Sequence, residues 1–396
     1  MHRNVMGGFP PPGEAQATLA NWREPPFNRW AFRHLREIVP SAAIARAGQA
    51  WQLERAIEPL ERLAFESPDG RDMTVGGLIS ETFTDGLIVL RHGRILFEAY
   101  EAGHEALSPH IVFSVSKSLC ALVAGILADR GVLDPDAPVI DHLPEAAGSA
   151  YGDCTVRHVL DMTVSIVFEE SYLDTTGAFA RYREATGWNP VSDPARPRDL
   201  RSFLSTLERG PRPHGEAFHY VSPNSDLLGW ILERASGVRF ADLMATLLWQ
   251  PMGAESDAYV TVDRLGAART AGGICTSLRD LARVGEMMRC RGVAGGCQVV
   301  PGWWIDDILG HGDREAWVRG DMHALLPDGR YRSKWYLTGN AHDAYFAFGI
   351  HGQWIYVDPP AGVVIAKQSS RPAPLDDAME RLHLAGFDAI ARALAR

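Results

Sequence analysis

The sequence predicts an α/β protein whose β-sheet is built from both ends of the chain, with a mainly helical domain inserted between them. The first observation is a pair of apolar runs at 86–101 joined by a tight turn at 92–94, a pattern typical of a β-hairpin. The second is a matching apolar stretch at 347–368 with a proline-containing turn at 358–360. Helical periodicity dominates the long segment between these two stretches.

Helices are predicted at several places along the chain. From Ser114 onward, apolar residues recur on one helical face, at Leu119, Leu122, Val123, Ile126 and Leu127. A second helix ends at Gly237, and a third begins with the capping pair Ser277 and Asp280. The last helix covers about 375–395.

We expect two domains that share the chain unequally. Residues 1–134 and 231–396 form the α/β sheet domain, and residues 135–230 form the mainly helical domain. The helix at about 275–290 fits either domain. Because ligand pockets tend to form between domains, the active-site cleft is expected between these two.

The charge balance argues against two classes of partner. The 396-residue chain has a formal net charge of −10 and a pI of about 5.8, whereas nucleic acids and anionic membranes are bound by clustered basic residues. The longest apolar run, at 119–128, is too short to cross a bilayer. We therefore expect no nucleic-acid partner and no membrane association, and the charge balance gives no information on the substrate.

The N-terminal segment and the cysteines favour a cytoplasmic location. Residues 1–22 contain prolines and glycines but no apolar core of a signal peptide, and we expect them to form a loosely held arm. The five cysteines form no C-x-x-C pair and are odd in number, which favours free thiols in a reducing compartment.

The lysine at position 117 is unusual because this chain uses so few lysines. Three of its 39 basic residues are lysines, at 117, 334 and 367. Arginine cannot lose its proton in a protein, whereas a buried lysine can. Ser114 and Lys117 are three residues apart and share a helical face, where the amine can activate the serine hydroxyl as a nucleophile. Burial and the positive end of a helix would both lower the pKa of this lysine.

A purely structural role explains the same spacing. Ser114 can be a simple helix cap, and Lys117 can lie on a solvated face. The spacing alone does not decide between the two interpretations.

A third group is needed to pass the proton to a leaving group. Tyrosine can do this when a nearby ammonium lowers its pKa. Tyr-x-Ser occurs at 220–222 and at 331–333, and the second copy lies in a polar turn where we expect it to be exposed. Tyr220, directly before a predicted helix, is therefore the stronger candidate.

Other chemistries lack their motifs. The sequence contains no G-x-S-x-G, no H-E-x-x-H, no P-loop and no G-x-G-x-x-G. His214 and His219 lie close in sequence but have no second cluster of ligands beside them. We expect neither a metal nor an organic cofactor.

Several separated motifs, in order, resemble one family of serine hydrolases. The stretches SVSKSLC (114–120), FHYVSPNSD (218–226) and AGGICTS (271–277) are similar to the class C β-lactamase and penicillin-binding fold. NWREPPFNRWAFRHL (21–35), VLDMTVSI (159–166) and GIHGQ (349–353) are similar to the 6-aminohexanoate-dimer hydrolases, the nylon-oligomer enzymes, and their carboxylesterase relatives. The resemblance runs from about residue 20 to the C-terminus. It implies a β-lactamase-like fold, an antiparallel sheet flanked by helices with an inserted helical domain.

The resemblance implies roles for individual residues. Ser114 is the expected nucleophile, Lys117 its activating partner and Tyr220 the general acid/base. The expected oxyanion hole consists of the backbone N–H groups of Ser114 and Ile350. Gly349, which has no side chain, allows the strand before Ile350 to approach the nucleophile closely. Whether Lys117 or Tyr220 is the acylation base stays open.

The substrate contacts implied by the resemblance include three departures from the family. The matching positions are Tyr172, Trp188, Arg183, Ser222, Ala271 and Tyr336. In effective nylon-oligomer hydrolases an acidic residue holds the substrate ammonium where this chain has Arg183, which would repel that group. Ala271 stands where the family can place a polar side chain. The strand at 347–349 also lacks the Lys-Thr/Ser-Gly triad that anchors a β-lactam carboxylate.

We expect a cytoplasmic serine hydrolase that forms an acyl-enzyme on Ser114 and cleaves small carboxylic esters. Linear amides of the 6-aminohexanoate type are a further expected substrate class. The alternatives are an acyltransferase on the same fold, and a penicillin-binding-type sensor that does not turn over. Relatives suggest a homodimer.

Overall fold

The structure is a computed structural model that describes residues 5–193 and 199–396. Its strands, numbered in chain order, are β1 (Ser41–Ile44), β2 (Ala64–Glu66), β3 (Asp72–Thr74), β4 (Thr84–Arg91), β5 (Arg94–Tyr100), β6 (His110–Ile111), β7 (Ala258–Thr261), β8 (Ile274–Thr276), β9 (Val293–Ala294), β10 (Cys297–Gln298), β11 (Arg330–Arg332), β12 (Trp335–Leu337), β13 (Tyr345–Gly349), β14 (Gln353–Asp358) and β15 (Val363–Ser369).

The α-helices of the described residues are α1 (Asn28–Ala31), α2 (Val75–Glu81), α3 (Val115–Asp129), α4 (Val139–His142), α5 (Val156–Leu160), α6 (Ala178–Ala185), α7 (Leu200–Leu204), α8 (Ser222–Ser236), α9 (Phe240–Leu243), α10 (Gln250–Met252), α11 (Leu278–Arg289), α12 (Gly302–Gly310), α13 (Arg314–Val318) and α14 (Asp377–Leu394). A π-helical segment, Met244–Trp249, joins α9 to α10. Short 3₁₀ turns occur at Gly13–Ala15, Leu35–Glu37, Leu60–Arg62 and Pro144–Ala146.

The main sheet joins the two ends of the chain, as the sequence predicted. Its seven strands are antiparallel in the order β11-β12-β13-β14-β15-β4-β5, so the last strand in sequence pairs with the N-terminal hairpin. The predicted turn at 92–94 connects β4 to β5, and the turn at 358–360 lies between β14 and β15. The predicted fold class is confirmed.

Each face of the main sheet packs on a different helical layer because side chains alternate along a strand. On β15, Val364 and Ala366 belong to a core that includes α3 and α11. Their neighbours Val363 and Ile365 face the other way, into a core with Phe387 of α14. Helix α11, which the sequence did not assign to either expected domain, packs against β4, β14 and β15. Helix α3 is therefore buried between the sheet and the helices that include α8.

A small second sheet and the N-terminal segment support the start of α3. Strands β1, β7, β8 and β6 form a four-stranded antiparallel sheet, and β6 leads directly into the α3 N-terminus. Trp22 and Phe32 have no solvent exposure and pack with Phe113 and Trp188. The expectation of a loosely held arm is therefore wrong for residues around Trp22, because this indole fills the space beneath the α3 N-terminus.

Two further properties concern the helices and the cysteines. Among the described residues, no helix combines the length and apolarity needed to cross a membrane. The five cysteines are free thiols, and Cys120, Cys154 and Cys275 are buried.

Candidate active site

Ser114 sits on a sharp turn between β6 and α3. Phe113, directly before it, has a φ of 41°, in the left-handed region that non-glycine residues rarely adopt. Ser114 is the N-cap of α3 and is partly exposed, whereas the helix residues after it are buried. A strained residue held next to an accessible hydroxyl is a common arrangement at functional sites, where the surrounding packing supports the strain.

Lys117 lies under Ser114 and is shielded from solvent. Its Nζ atom is 2.8 Å from Ser114 Oγ and donates to the carbonyl of Ala271 at 2.7 Å. The side chain is 2% exposed, which rules out the solvated-face interpretation of the sequence. The pKa of Lys117 is lowered to about 7, mainly by burial and also by the charge of Arg269, while the charges of Glu170 and Asp226 oppose the shift. Near neutral pH a large fraction of this amine is therefore uncharged and able to accept a proton.

Tyr220 lies on the other side of the serine. Lys117 Nζ is 5.0 Å from the centre of the Tyr220 ring. A side-chain interaction with Ser114 lowers the pKa of Tyr220, but burial and the charge of Glu170 raise it by more, to well above the usual value. The sequence argument expected an ammonium to lower this pKa. That expectation is wrong in this structure, because burial dominates, and Tyr220 is a neutral phenol suited to donate a proton.

The second tyrosine motif has a different environment from the one predicted. Tyr331 is 4% exposed, so the expectation that it is exposed is wrong. Its ring packs against Phe218 and Tyr336, with centroids 4.8 and 4.6 Å away. The Tyr336 hydroxyl lies close to that of Tyr220, and this side-chain contact raises the pKa of Tyr336 and lowers that of Tyr220, in each case beside a larger raising effect of burial.

The end of β13 approaches the nucleophile turn very closely. A Cβ atom added to Gly349 would lie 2.6 Å from the carbonyl oxygen of Val112 and 2.8 Å from the backbone nitrogen of Ser114. Only glycine fits this approach. Within the described residues, neither the Ser114 nor the Ile350 backbone N–H donates a hydrogen bond. Both donors are therefore free for an oxyanion.

Two cavities meet at Ser114 and Ile350. The first has a volume of about 220 Å³, and its lining includes Tyr172, Arg183, Trp188, Ser222 and Ala271. The second has a volume of about 350 Å³, and its lining includes Tyr172, Tyr220 and Tyr336. The structure thus places every predicted site residue except the buried Lys117 along one continuous surface on the two sides of the serine.

Trp188 forms a fixed wall of the first cavity. It is 4% exposed, and its Nε1 donates to Thr261 Oγ1 at 3.0 Å. The Trp22 indole packs edge-on against it, with centroids 5.3 Å apart, and donates to its carbonyl at 3.1 Å. This network holds the ring beside Gly272, where an added Cβ would be 3.2 Å from the indole.

Glu170, which the sequence analysis did not single out, organises the predicted substrate contacts. Its carboxylate accepts hydrogen bonds from Tyr172 Oη at 2.6 Å and from Ser222 Oγ at 2.7 Å, and also from the Ser222 backbone N–H. Its negative charge raises the pKa of Lys117 and of Tyr220. Its position close to Tyr172 in EESYLD was a signal that the sequence offered. Its contact with Ser222 joins residues 52 apart and could not be predicted from a local pattern.

A buried ion pair positions the acceptor for Lys117. Asp226, on α8, forms an ion pair with Arg269 and accepts a hydrogen bond from the Tyr182 hydroxyl. The other Asp226 oxygen accepts the backbone N–H of Ala271 at 2.7 Å. The polar group that Ala271 contributes is therefore its backbone, whose carbonyl binds Lys117. The sequence analysis missed Asp226 and Arg269 because the contact joins segments 43 residues apart.

The histidines considered as metal ligands have other partners. His214 contacts Asp153 at 2.8 Å, and His219 contacts Asp321 at 2.8 Å. Among the residues that the structure describes, no cluster of three or more His, Cys, Asp or Glu side chains could hold a metal ion.

Comparison with known proteins identifies the class. The family model described as Beta-lactamase matches residues 80–388. The chain belongs to this family and is a serine hydrolase. It is 40% identical over 366 residues to the 6-aminohexanoate-dimer hydrolase of Paenarthrobacter ureafaciens, an alignment that covers 92% of this chain and 91% of that protein. The resemblance drawn from the sequence motifs is therefore confirmed.

Two further relatives extend the comparison. Esterase EstB of Burkholderia gladioli is 32% identical over 190 residues, 44% of this chain and 47% of that protein. A solved structure of a candidate 6-aminohexanoate-dimer hydrolase from Bacillus anthracis has a TM-score of 0.87 at 23% identity, covering 97% of this chain and 98% of that one. That structure supports the fold alone.

Proposed function

We propose that this protein hydrolyses small carboxylic esters through an acyl-enzyme on Ser114, with linear amides of the 6-aminohexanoate type as a secondary class. The observation that carries the proposal is the contact between Ser114 Oγ and the buried amine of Lys117 at 2.8 Å. A nucleophilic serine needs a neighbour that can take its proton, and an amine with a pKa of about 7 can do so near neutral pH.

The directions of the pKa shifts support one assignment of the base and the acid. Lys117 is the acylation base because its lowered pKa leaves the amine partly uncharged. In that form the amine can donate to the Ala271 carbonyl and accept the proton of Ser114, whose Oγ accepts from the ammonium form. Tyr220 is the acid because its raised pKa keeps the phenol protonated. The backbone N–H groups of Ser114 and Ile350 stabilise the oxyanion as it forms.

The reaction proceeds in two balanced steps. Ser114 Oγ bonds to the acyl carbon as its proton passes to Lys117, and the ester C–O bond then breaks. The leaving alkoxide takes a proton from Tyr220, which regains one from the Lys117 ammonium. Water then attacks the acyl carbon of the acyl-enzyme and gives a proton to Lys117 or Tyr220. The bond between the acyl carbon and Ser114 Oγ breaks, that proton passes to Ser114 Oγ, and the carboxylic acid is released.

The test is turnover of p-nitrophenyl acetate and butyrate by the wild-type protein beside Ser114→Ala, with the linear 6-aminohexanoate dimer assayed in parallel. Ser80→Ala is a matched control, since Ser80 is an exposed serine on α2, remote from the site. We expect multiple turnovers by the wild type and by Ser80→Ala and none by Ser114→Ala. Labelling by a fluorophosphonate should add one group, on the peptide containing Ser114.

Two results would contradict the proposal. A single stoichiometric release of nitrophenol without further turnover would indicate a sensor that is acylated and does not deacylate. Accumulation of butyl butyrate at the expense of butyric acid, when butanol is added at a low concentration, would indicate an acyltransferase.

We also propose a cytoplasmic location and a homodimer. The location is supported by five unpaired thiols, which are typical of a reducing compartment. Fractionation of the source cells tests the location, and light scattering of the purified protein tests the dimer.

A further inference from the structure

The two cavities that meet at Ser114 carry opposite charge. Besides Arg269, which is paired with Asp226, the first cavity is lined by Arg23 and Arg183, and also by Glu24 and Glu170. The second is lined by Glu169, Glu170 and Asp321, and no lysine or arginine of the described residues lines it. Ser114 therefore lies between the first, cationic cavity and the second, acidic cavity.

The groups that Arg183 contacts directly are neutral. Its Nη1 donates to the carbonyl of Tyr172 at 3.2 Å and its Nη2 to the carbonyl of Asp174. The guanidinium also lies over the Phe179 ring, 5.0 Å from its centre. Its buried Nε has no hydrogen-bond partner among the described residues. The Asp174 carboxylate raises the pKa of Arg183 through its charge, but its own hydrogen bonds come from backbone N–H groups of the following residues. Since carbonyls and an aromatic face do not cancel a full charge, Arg183 keeps both charge and donors to offer.

Arg23 repeats this pattern from the N-terminal segment. Its Nη1 donates to the carbonyl of Trp188 at 3.0 Å and its Nη2 to the side-chain oxygen of Asn189. The pKa of Arg23 is lowered to about 9, mainly by burial and also by the positive charge of Arg183, against a smaller opposing effect of Glu24. Within the described part of the chain, neither Arg23 nor Arg183 forms an ion pair with a carboxylate.

The acidic groups in the cationic cavity do not neutralise this pair. Glu24 is exposed at the rim. Glu170 already accepts hydrogen bonds from Tyr172 and Ser222. Two neighbouring, partly buried guanidinium groups without a carboxylate partner repel each other, and a bound anion would relieve that repulsion.

The position of Tyr220 decides which part of a substrate enters which cavity. Tyr220 lines the acidic cavity, and under the proposed function it protonates the leaving group. The alcohol of an ester therefore leaves through the acidic cavity, and the acyl chain lies in the cationic one.

We propose that Arg23 and Arg183 form a carboxylate-binding subsite for the acyl chain, so that the enzyme prefers half-esters of short dicarboxylic acids over neutral esters. The inference rests on the proposed function and names its substrate class. Carboxylates pair with arginine through charge-assisted, often bidentate hydrogen bonds. An acyl chain that ends in an ammonium meets repulsion at the same place, so ethyl 6-aminohexanoate is a poor substrate.

The test compares three ethyl esters that share an acyl-chain length and differ in terminal charge: monoethyl adipate, ethyl hexanoate and ethyl 6-aminohexanoate. We expect kcat/KM to fall in that order. Arg183→Ala and Arg23→Ala should each lower the ratio of kcat/KM for the adipate ester to that for the hexanoate ester by about tenfold, as expected for loss of a hydrogen bond between charged groups. Arg183→Glu should reverse the preference between the adipate and 6-aminohexanoate esters.

A matched control separates a local contact from the overall charge. Arg181 lies on the same helix as Arg183, is exposed, and does not line the cationic cavity. Arg181→Ala should leave the ratio unchanged. An equal fall in Arg181→Ala and Arg183→Ala would overturn the subsite, because it would show an effect of net charge alone.

A binding measurement on an inactive variant distinguishes failure of the subsite from failure of the proposed function. Adipate dianion is titrated calorimetrically into Ser114→Ala and into the double variant Ser114→Ala/Arg183→Ala. Tighter binding to the first protein supports the subsite even when no ester is hydrolysed, an outcome in which the proposed function alone fails. Equal binding to both proteins, with all three esters hydrolysed at similar rates, overturns the subsite and leaves the proposed function standing.

Discussion

The amine of Lys117 lies 2.8 Å from the hydroxyl of Ser114 while the lysine side chain is 2% exposed. The contact is therefore made in a place where an ammonium is poorly solvated, and burial lowers the pKa of Lys117 to about 7. This combination of proximity and weakened proton affinity distinguishes a base from an ordinary structural cation.

Replacing Lys117 by arginine should be nearly as damaging as replacing it by alanine. Arginine keeps the positive charge but cannot give up its proton, so it cannot accept the one from Ser114. We expect kcat to fall by about 1,000-fold in both variants, in the range of general-base catalysis. Steady-state hydrolysis of p-nitrophenyl butyrate measures this, and substantial activity in Lys117→Arg would contradict the role of Lys117 as base.

The pH profile should report the titration of Lys117. Only the uncharged amine accepts a proton, so kcat/KM should rise with pH through about 7. Glu170 raises the pKa of Lys117, and Glu170→Gln removes that charge while keeping a hydrogen-bonding side chain. The rise should therefore move to lower pH in Glu170→Gln. If kcat/KM rises at the same pH in Glu170→Gln and in the wild type, the rise reports the titration of a group other than Lys117.

Tyr220→Phe should discriminate between leaving groups. An alkoxide needs a proton as it leaves, whereas p-nitrophenolate is stable without one. We expect the loss of kcat/KM in Tyr220→Phe to be about 100-fold larger for ethyl butyrate than for p-nitrophenyl butyrate, within the range of general-acid catalysis. Equal losses for the two esters would place Tyr220 in another role.

Gly349→Ala should impair both folding and catalysis. The added Cβ would contact the Val112 carbonyl at 2.6 Å and the Ser114 nitrogen at 2.8 Å, and backbone atoms cannot move aside cheaply. We expect the free energy of unfolding to fall by about 1–3 kcal/mol and kcat to fall by about 100-fold as an oxyanion donor is displaced. Gly310→Ala is the control, because its added Cβ meets no atom within 4 Å. Denaturant titration and turnover measure the two effects, and a fully active Gly349→Ala would contradict the proposed oxyanion hole.

Removing one partner of the buried ion pair between Asp226 and Arg269 should destabilise the protein more than removing both. Asp226→Leu leaves the Arg269 guanidinium without its partner and should lower the free energy of unfolding by about 3–5 kcal/mol. Adding Arg269→Met should restore much of this stability, because neither charge then remains buried alone. Activity should stay low in both variants, since Asp226 also anchors the Ala271 backbone that binds Lys117. A double variant less stable than Asp226→Leu would contradict this account.

The sequence predicted the sheet and the reactive pair because both depend on local patterns. The hairpin at 86–101 has alternating apolar residues around a turn, and Ser114 and Lys117 meet within one helical turn. The scarcity of lysine in the chain does not by itself identify the catalytic lysine. Lys334 and Lys367 are also buried, and burial lowers the pKa of both. Proximity to Ser114 therefore singles out Lys117, and its pKa alone does not.

The remaining parts of the site depend on contacts between distant segments. Lys117 reaches the Ala271 carbonyl across 154 residues, and Trp22 reaches the Trp188 carbonyl across 166. The polar stretch around Tyr331 is buried because an aromatic cluster closes over it, which composition does not reveal. Such contacts are set by tertiary packing, and no local pattern in the sequence encodes them.

The N-terminal segment has a consequence for how specificity diverges among relatives. The match to the family model begins at residue 80, yet Trp22 supports the wall of the cationic cavity and Arg23 supplies one of its charges. Under the proposed carboxylate subsite, homologues can agree throughout the matched region and still accept differently charged acyl chains, because one determinant lies upstream of it. Chimaeras that exchange only residues 1–40 between two relatives would transfer that determinant while leaving the reacting groups untouched.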